Sequence, residues 1–295
     1  MRALGHPVTL PTGLRVYGVK RYEVRGECAQ VGEYFRPDLE LHRGMTVFDV
    51  GANVGMFTLE VLRRCDGDAR VYAFEPAPRS FAFLERNVRE SFGTSPVSLR
   101  CCAVGERSGQ TTLKYFPRAS TMSSLYGEPL LDAQSLIDGM LADSPAGSRR
   151  RLPAPVRRRL RPLISKVLKV AFWWMAARVE EIPCELTTLS QVISRAAVDR
   201  VDLLKIDVEG AELDVLRGIE PGDWPKIRAI TAEIHDHDDS RQKIFDLLRS
   251  VGFDQIEVDQ DWPLVGTSIY MLNARRVADR LSSASAQVPD TDLPA

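Results

Sequence analysis

Two stretches of this 295-residue sequence carry side chains whose types and spacing suit chemistry. The first is Val47-Phe48-Asp49-Val50-Gly51-Ala52-Asn53-Val54-Gly55, an apolar run that enters a glycine turn and opens a helix. Gly51 and Gly55 permit left-handed backbone and let a ligand approach the main chain closely. A dinucleotide fingerprint needs G-x-G-x-x-G to present amides to a pyrophosphate. Here Asn53 stands in place of the second glycine, and a carboxylate, Asp49, precedes the turn. An acid at that point repels a pyrophosphate and favours a sulfonium or amino group, so the turn of Asp49, Gly51, Ala52, Asn53 and Gly55 reads as a site for S-adenosylmethionine. Glu75, in Phe74-Glu75-Pro76, follows Gly51 by 24 residues, a spacing at which an acid accepts hydrogen bonds from ribose hydroxyls. Ala103 and Val104, closing the third apolar run, are expected to border the adenine.

The second stretch holds Asp207 and Glu209 after one apolar run, and Glu233, His235 and His237 at the end of the next. Methyl transfer is an in-line displacement, so the protein must hold an acceptor oxygen in place and help remove its proton. His235 is the leading base, because its ordinary pKa lies near neutrality and an acid behind it would fix its tautomer. Asp207, Glu209 and Glu233 complete the catalytic set. An alternative gives Asp207, Glu233 and Asp236 to a hard divalent cation such as magnesium, which would orient a hydroxylate. Blander readings stay open at this point: His235 as a satisfied polar group ending a strand, and Asp207 as a helix cap.

The elements that must position these residues follow from the rhythm of the chain. From Met45 onward, short runs rich in β-branched residues alternate with segments of helical period, the pattern of a mostly parallel, doubly wound α/β sheet. Seven runs qualify as strands: 46–50, 70–74, 97–104, 201–206, 229–234, 255–258 and 267–272. Residues 1–45 read as an irregular lead-in, with strand-like pieces at 14–19 and 22–24 and a short helix near 32–35. About eighty residues separate the third run from the fourth, far more than an ordinary connection. Residues 110–116 and 181–187 are expected as extra strands there, and 126–179 as an insertion. The domain thus spans 46–276, and the polar tail 277–295 is expected to be disordered.

With these residues in view, the chain resembles the FkbM family of class I methyltransferases. The resemblance rests on Phe48-Asp49-Val50-Gly51-Ala52-Asn53-Val54-Gly55, Phe74-Glu75-Pro76, Ala103-Val104-Gly105, Ser123-Ser124-Leu125, Thr188-Leu189 and Leu203-Leu204-Lys205-Ile206-Asp207-Val208-Glu209-Gly210-Ala211-Glu212, followed by Val215-Leu216-Arg217-Gly218. It implies a Rossmann-like seven-stranded sheet, S-adenosylmethionine as donor and an O-methyl product on a sugar or polyketide hydroxyl. It also implies donor-binding roles for Asp49, Gly51, Asn53 and Gly55, with Glu75 as the ribose acid. The long stretch between Leu125 and Val179 departs from the family pattern.

That insertion changes how the charge is read. Lys and Arg number 39 against 40 Asp and Glu, a net −1, which argues against a whole-surface nucleic-acid binder. Between Ser144 and Val179, however, there is no acid and there are ten basic residues: Arg149, Arg150, Arg151, Arg157, Arg158, Arg159, Arg161, Lys166, Lys169 and Arg178. Elsewhere 29 basic and 40 acidic side chains remain. On a helix, Leu160, Leu163, Ile164, Val167, Leu168, Ala171, Trp174 and Met175 share one face and most basic residues the other. Such a cationic amphipathic helix suits an anionic membrane interface, in which case the acceptor would be lipid-linked; the alternative is a lid over the acceptor pocket. Nucleic acid is not expected, for want of a stacking pattern. Five scattered cysteines without C-x-x-C spacing indicate neither a disulfide framework nor a zinc site. With no signal-peptide core in the first twenty residues, the expected location is the cytoplasm, peripheral to a membrane if the insertion anchors. The competing functions are a nicotinamide-dependent Rossmann oxidoreductase and a membrane-peripheral protein with an inactive methyltransferase core.

Overall fold

The computed structural model describes residues 7–36, 39–93, 96–126, 154–260 and 264–276. A hairpin of β1 (Val8–Thr9) and β2 (Arg15–Val16) leads to helix α1 (Arg21–Gln30) and a 3-10 turn at Val31–Tyr34. The strand-like piece expected at 22–24 is therefore helix. Tertiary packing overrides the β propensity of Tyr22 and Val24, because the helix buries Val24 and sets Glu23 and Glu27 on one face, four residues apart. Val16, Tyr17, Val24, Tyr34 and Phe35 join the same core as Val47 and Leu59, so the lead-in is packed into the domain.

The central unit comprises β3 (Met45–Val50), α2 (Met56–Arg64), β4 (Ala69–Phe74), α3 (Pro78–Phe92), β5 (Val97–Arg100), β6 (Ala103–Val104), β7 (Gly109–Tyr115), α4 (Ala154–Ala176) and β8 (Glu180–Thr187). It continues through α5 (Leu189–Arg195), β9 (Val201–Ile206), α6 (Glu212–Arg217), β10 (Ile227–His235), α7 (Ser240–Ser250), β11 (Gln255–Asp259) and β12 (Ile269–Arg275). The seven-stranded sheet has the order β11-β12-β10-β9-β3-β4-β5, with β12 antiparallel to both neighbours and the remaining pairs parallel. Its inner strands are apolar on both faces, as helices covering both sides require. Phe48, Val50, Leu204 and Ile206 are buried on one side of the fold's core and Val47, Val71 and Leu203 on the other.

The third expected run divides in two. The chain leaves the large sheet at Arg100, and Ala103–Val104 pairs instead with β8, which also takes β7 in antiparallel register. Residues 110–116 and 181–187 thus fall in a separate three-stranded sheet, order β6-β8-β7. Of the expected insertion, residues 127–153, with Arg149, Arg150 and Arg151, lie outside the described residues, as does the tail 277–295. No helix among the described residues is long and apolar enough to cross a membrane.

Candidate active site

The sheet changes winding direction between β3 and β9, and a ligand crevice is expected outside the carboxyl ends of strands at such a point. A cleft with about 1090 Å³ of empty space, counted out to its open mouth, lies there. Its floor is the glycine turn. The amides of Gly51 and Ala52 donate to the Phe74 carbonyl at 3.0 and 2.9 Å, so the turn is strapped to the end of β4. Gly51 has φ of +79°, and a Cβ there would lie 1.7 Å from the Asp207 carbonyl oxygen. Asn53 takes a left-handed φ of 46°, and its amide donates to Glu75 Oε2 at 2.9 Å while the Ala77 amide donates to Oε1 at 2.8 Å. Burial pushes the Glu75 carboxyl up to about 7, against the pull of those two amide bonds.

Gly51, Ala52, Asn53, Glu75, Ala103 and Val104 all line the cleft, as do Asp207, Glu209 and Glu233. Asp49 and Gly55 do not. Asp49 is fully buried beneath the turn, accepting from Thr58 Oγ1 at 2.6 Å, and its Oδ1 faces Lys205 Nζ at 3.4 Å. Its charge is therefore countered inside the protein, and it supports the turn from below instead of meeting a ligand directly. Gly55 caps α2 with φ of 94°, where a Cβ would strike Leu84.

Lys205 is the residue that motif reading passed over. It is 3% exposed, and its Nζ donates to the Gly51 carbonyl at 2.7 Å while standing 3.4 Å from both Asp49 Oδ1 and Asp207 Oδ2. Burial works against its charge, but the Asp207 and Asp49 carboxylates outweigh it and hold the ammonium above its ordinary pKa. The available signal was a lysine in the interior of an apolar strand, which must be paired to be tolerated. Tyr34 and Glu27, from the N-terminal segment, were also missed. Tyr34 donates its hydroxyl to Asp207 Oδ2 at 2.9 Å, and Asn53 Nδ2 donates to Glu27 Oε1 at 2.7 Å. Burial, with the charges of Glu23 and Asp207 adding, pushes Glu27 up to about 8.

His235 occupies a different position from the one a base needs. It is 1% exposed and is not part of the cleft wall. Its Nδ1 is 3.3 Å from Glu212 Oε1, and its Nε2 is 3.2 Å from Glu209 Oε2 and 3.8 Å from Glu233 Oε1. Burial opposes its charge, but Glu209 and Glu212 override burial and hold its pKa well above the ordinary 6.5. With both ring nitrogens turned to buried glutamates and neither reaching the cleft, His235 is not placed to take a proton from an acceptor there, so the general-base assignment moves off it. Glu233, in the cleft wall, is pushed up to about 8 by burial and by the Asp207 charge, with His235 acting in the opposite direction. His237 turns away and bonds through Nδ1 to the His235 carbonyl oxygen at 2.9 Å.

The metal alternative loses its ligand set. Asp236 accepts from the Arg241 amide at 3.1 Å and pairs with its guanidinium at 3.3 Å, outside the cleft. Between Asp49 and Asp207 the Lys205 ammonium already supplies the positive charge, and among the described residues no group of three or more His, Cys, Asp or Glu is placed to hold a metal ion.

Residues 49–254 match the model of the methyltransferase FkbM domain. The chain is 35% identical over 250 residues to 31-O-demethyl-FK506 methyltransferase FkbM of Streptomyces tacrolimicus, covering 83% of this chain and 86% of that protein. It is 29% identical over 231 residues to Methyltransferase 1 of Beauveria bassiana, covering 78% and 80% respectively. Among solved structures, methyltransferase FkbM from Methylobacillus flagellatus KT shares the fold with a TM-score of 0.51 at 15% identity, over 83% of this chain and 47% of that one. These matches displace the oxidoreductase alternative, and the chain belongs to the FkbM family of methyltransferases.

Proposed function

We propose that the protein transfers a methyl group from S-adenosylmethionine to a hydroxyl of a small-molecule acceptor of the sugar, glycolipid or polyketide type. The observation that carries this reading is the charge of the cleft. Among the described residues, Glu27, Glu75, Asp207, Glu209 and Glu233 line it against a single ammonium, that of Lys205. A wall of that composition favours a ligand bearing positive charge, as a sulfonium and an α-amino group do, and disfavours a pyrophosphate. Burial has lifted Glu27, Glu75, Glu209 and Glu233 above the ordinary carboxylate range. A cationic ligand reverses that lift by favouring the ionised forms.

S-Adenosylmethionine, when bound, supplies an electrophilic methyl group. The residues suited to hold it are the Gly51-Ala52-Asn53 turn, Glu75 for the ribose hydroxyls, Ala103 and Val104 for the adenine, and Glu27 with Asp207 for the amino group. Glu233 is the acceptor's proton sink. With a pKa of about 8 its carboxylate is a stronger base than an ordinary glutamate, and it lines the same cleft. His235 fixes Glu209 and Glu233 from behind and supplies the charge that keeps three carboxyls together. An oxygen acceptor is supported by the name of the Streptomyces relative, which makes 31-O-demethyl-FK506 its substrate.

The test is incubation of the purified protein with methyl-labelled donor and a panel of sugar, glycolipid and macrolide acceptors that carry free hydroxyls. The expected product is a methyl ether in which one hydroxyl has been consumed. Label found only on nitrogen, carbon or a carboxyl group would contradict transfer to a hydroxyl.

A further inference from the structure

Helix α4 is apolar on two faces, and among the described residues only one of them is packed. Phe172, Met175 and Ala176 pack against Phe116, Ala119 and Met122, which fastens the last turns of the helix to the segment between β7 and the end of the described residues at 126. The opposite stripe, Leu163, Val167, Val170 and Trp174, has the spacing i, i+4, i+7 and i+11, so these side chains share one line along the helix. They are 56–69% exposed, and Trp173 beside them is 70% exposed. The single apolar face expected from the sequence is thus divided: its Met175 edge is covered by protein, while Leu163, Val167 and Trp174 meet solvent. Arg159, Lys166 and Lys169 are exposed as well, and the wheel places them directly alongside the stripe and Trp173.

We infer that this face docks on an anionic lipid bilayer. Charge decides among the possible occupants. Residues 154–178, the helix and the two residues after it, carry seven basic residues and no acid, which complements anionic headgroups and opposes a second copy of the same basic surface. The paired tryptophans suit the headgroup boundary, where an apolar ring and a polar N–H are both satisfied. The helix lies in the interface plane and does not cross it. The docked end also ties the bilayer to the cleft. The Arg118 guanidinium sits 4.2 Å over the Trp174 ring and donates to the Trp174 carbonyl at 2.8 Å, and the Arg118 carbonyl accepts from Tyr22 Oη at 2.7 Å. Ser120, Thr121 and Ser123, which follow in the same segment, line the cleft. The membrane face and the cleft rim are therefore adjacent, and bilayer docking presents the cleft to molecules held in the lipid surface.

Vesicle flotation of the full chain tests this without reference to activity. Vesicles of phosphatidylcholine with about one third phosphatidylglycerol should carry the protein, and pure phosphatidylcholine vesicles should carry little. Lys166→Glu with Lys169→Glu should lower binding about ten-fold or more, and raised salt should do the same. Leu163→Ser with Val170→Ser and Trp173→Ala should abolish it while thermal unfolding stays unchanged, since these side chains are exposed. Equal flotation on the two vesicle types, or full binding by both variants, overturns the inference. So does a dimer in solution that the Leu163→Ser variant dissociates, with no vesicle binding by the parent protein.

Discussion

The Lys205 ammonium lies 3.4 Å from Oδ2 of Asp207, and through its bond to the Gly51 carbonyl it joins β9 to the turn that follows β3. The same nitrogen counters Asp49 beneath that turn. Removing the positive member leaves two carboxylates close together at the cleft floor, one of them fully buried. Lys205→Met should therefore cost about 3–5 kcal/mol in urea unfolding. A loss below about 1 kcal/mol, the range of an exposed pair, would show that the ammonium does not hold this corner together.

Gly51 is required by space as well as by backbone angle. A Cβ 1.7 Å from the Asp207 carbonyl cannot be accommodated unless the β9 loop moves, and the φ of +79° strains any L side chain. Gly51→Ala should abolish donor binding in calorimetry and lower the unfolding temperature. Gly222 has open space around its Cβ position, so Gly222→Ala is the matched control and should leave both measurements unchanged.

Glu233→Gln keeps the shape of the side chain and removes its basicity. The turnover number should fall about 10²- to 10⁴-fold, the usual worth of a positioned base. In the parent enzyme kcat/KM for S-adenosylmethionine, which reports the free protein, should rise with pH and level off above about 8, because only the ionised Glu233 accepts a proton and burial holds its pKa there before the donor binds. The variant should lose that rise. A profile unaltered by the substitution would remove Glu233 from the reaction.

Under the proposed function, His235 acts on the reaction through Glu233. Its folded pKa is raised above the ordinary 6.5, so its contribution to stability is complete below about pH 6.5 and declines as pH climbs toward the folded value. The stability difference between the parent and His235→Asn should accordingly shrink as pH is raised from 6 to 9. The imidazolium also holds Glu233 down. His235→Asn should therefore move the rise in kcat/KM to higher pH and leave its shape intact, whereas a catalytic base at this position would take the rise away.

The parts of the site legible in the sequence are those set by local backbone. The glycine turn, the acid after β4 and the acids after β9 and β10 fall at strand ends, and strand ends can be read from apolar runs. Lys205 was concealed because it sits inside such a run, where hydrophobic patterning treats a single charge as noise. Glu27 and Tyr34 come from an N-terminal segment whose approach to the cleft depends on packing of Val24 and Phe35 into the core, a tertiary event without local signature. His235 was found, but its orientation depends on Glu209 and Glu212, and no spacing rule says which way a ring at a strand end will face. The split of the run 97–104 likewise depends on pairing with β8, some eighty residues later.

The proposed function stands or falls on S-adenosylmethionine binding in the cation-favouring cleft over the Gly51 turn. Calorimetric titration at pH 7 in two buffers of different ionisation enthalpy tests it directly. Saturable binding with net proton release is expected, because the ligand's positive charge favours the ionised forms of Glu27, Glu75 and Glu233, whose pKa values of about 8, 7 and 8 leave them partly protonated at that pH. A nicotinamide dinucleotide should not bind, and Gly51→Ala should lose S-adenosylmethionine binding. Failure of S-adenosylmethionine to bind the folded protein, or equal binding of the dinucleotide, would contradict the proposed function.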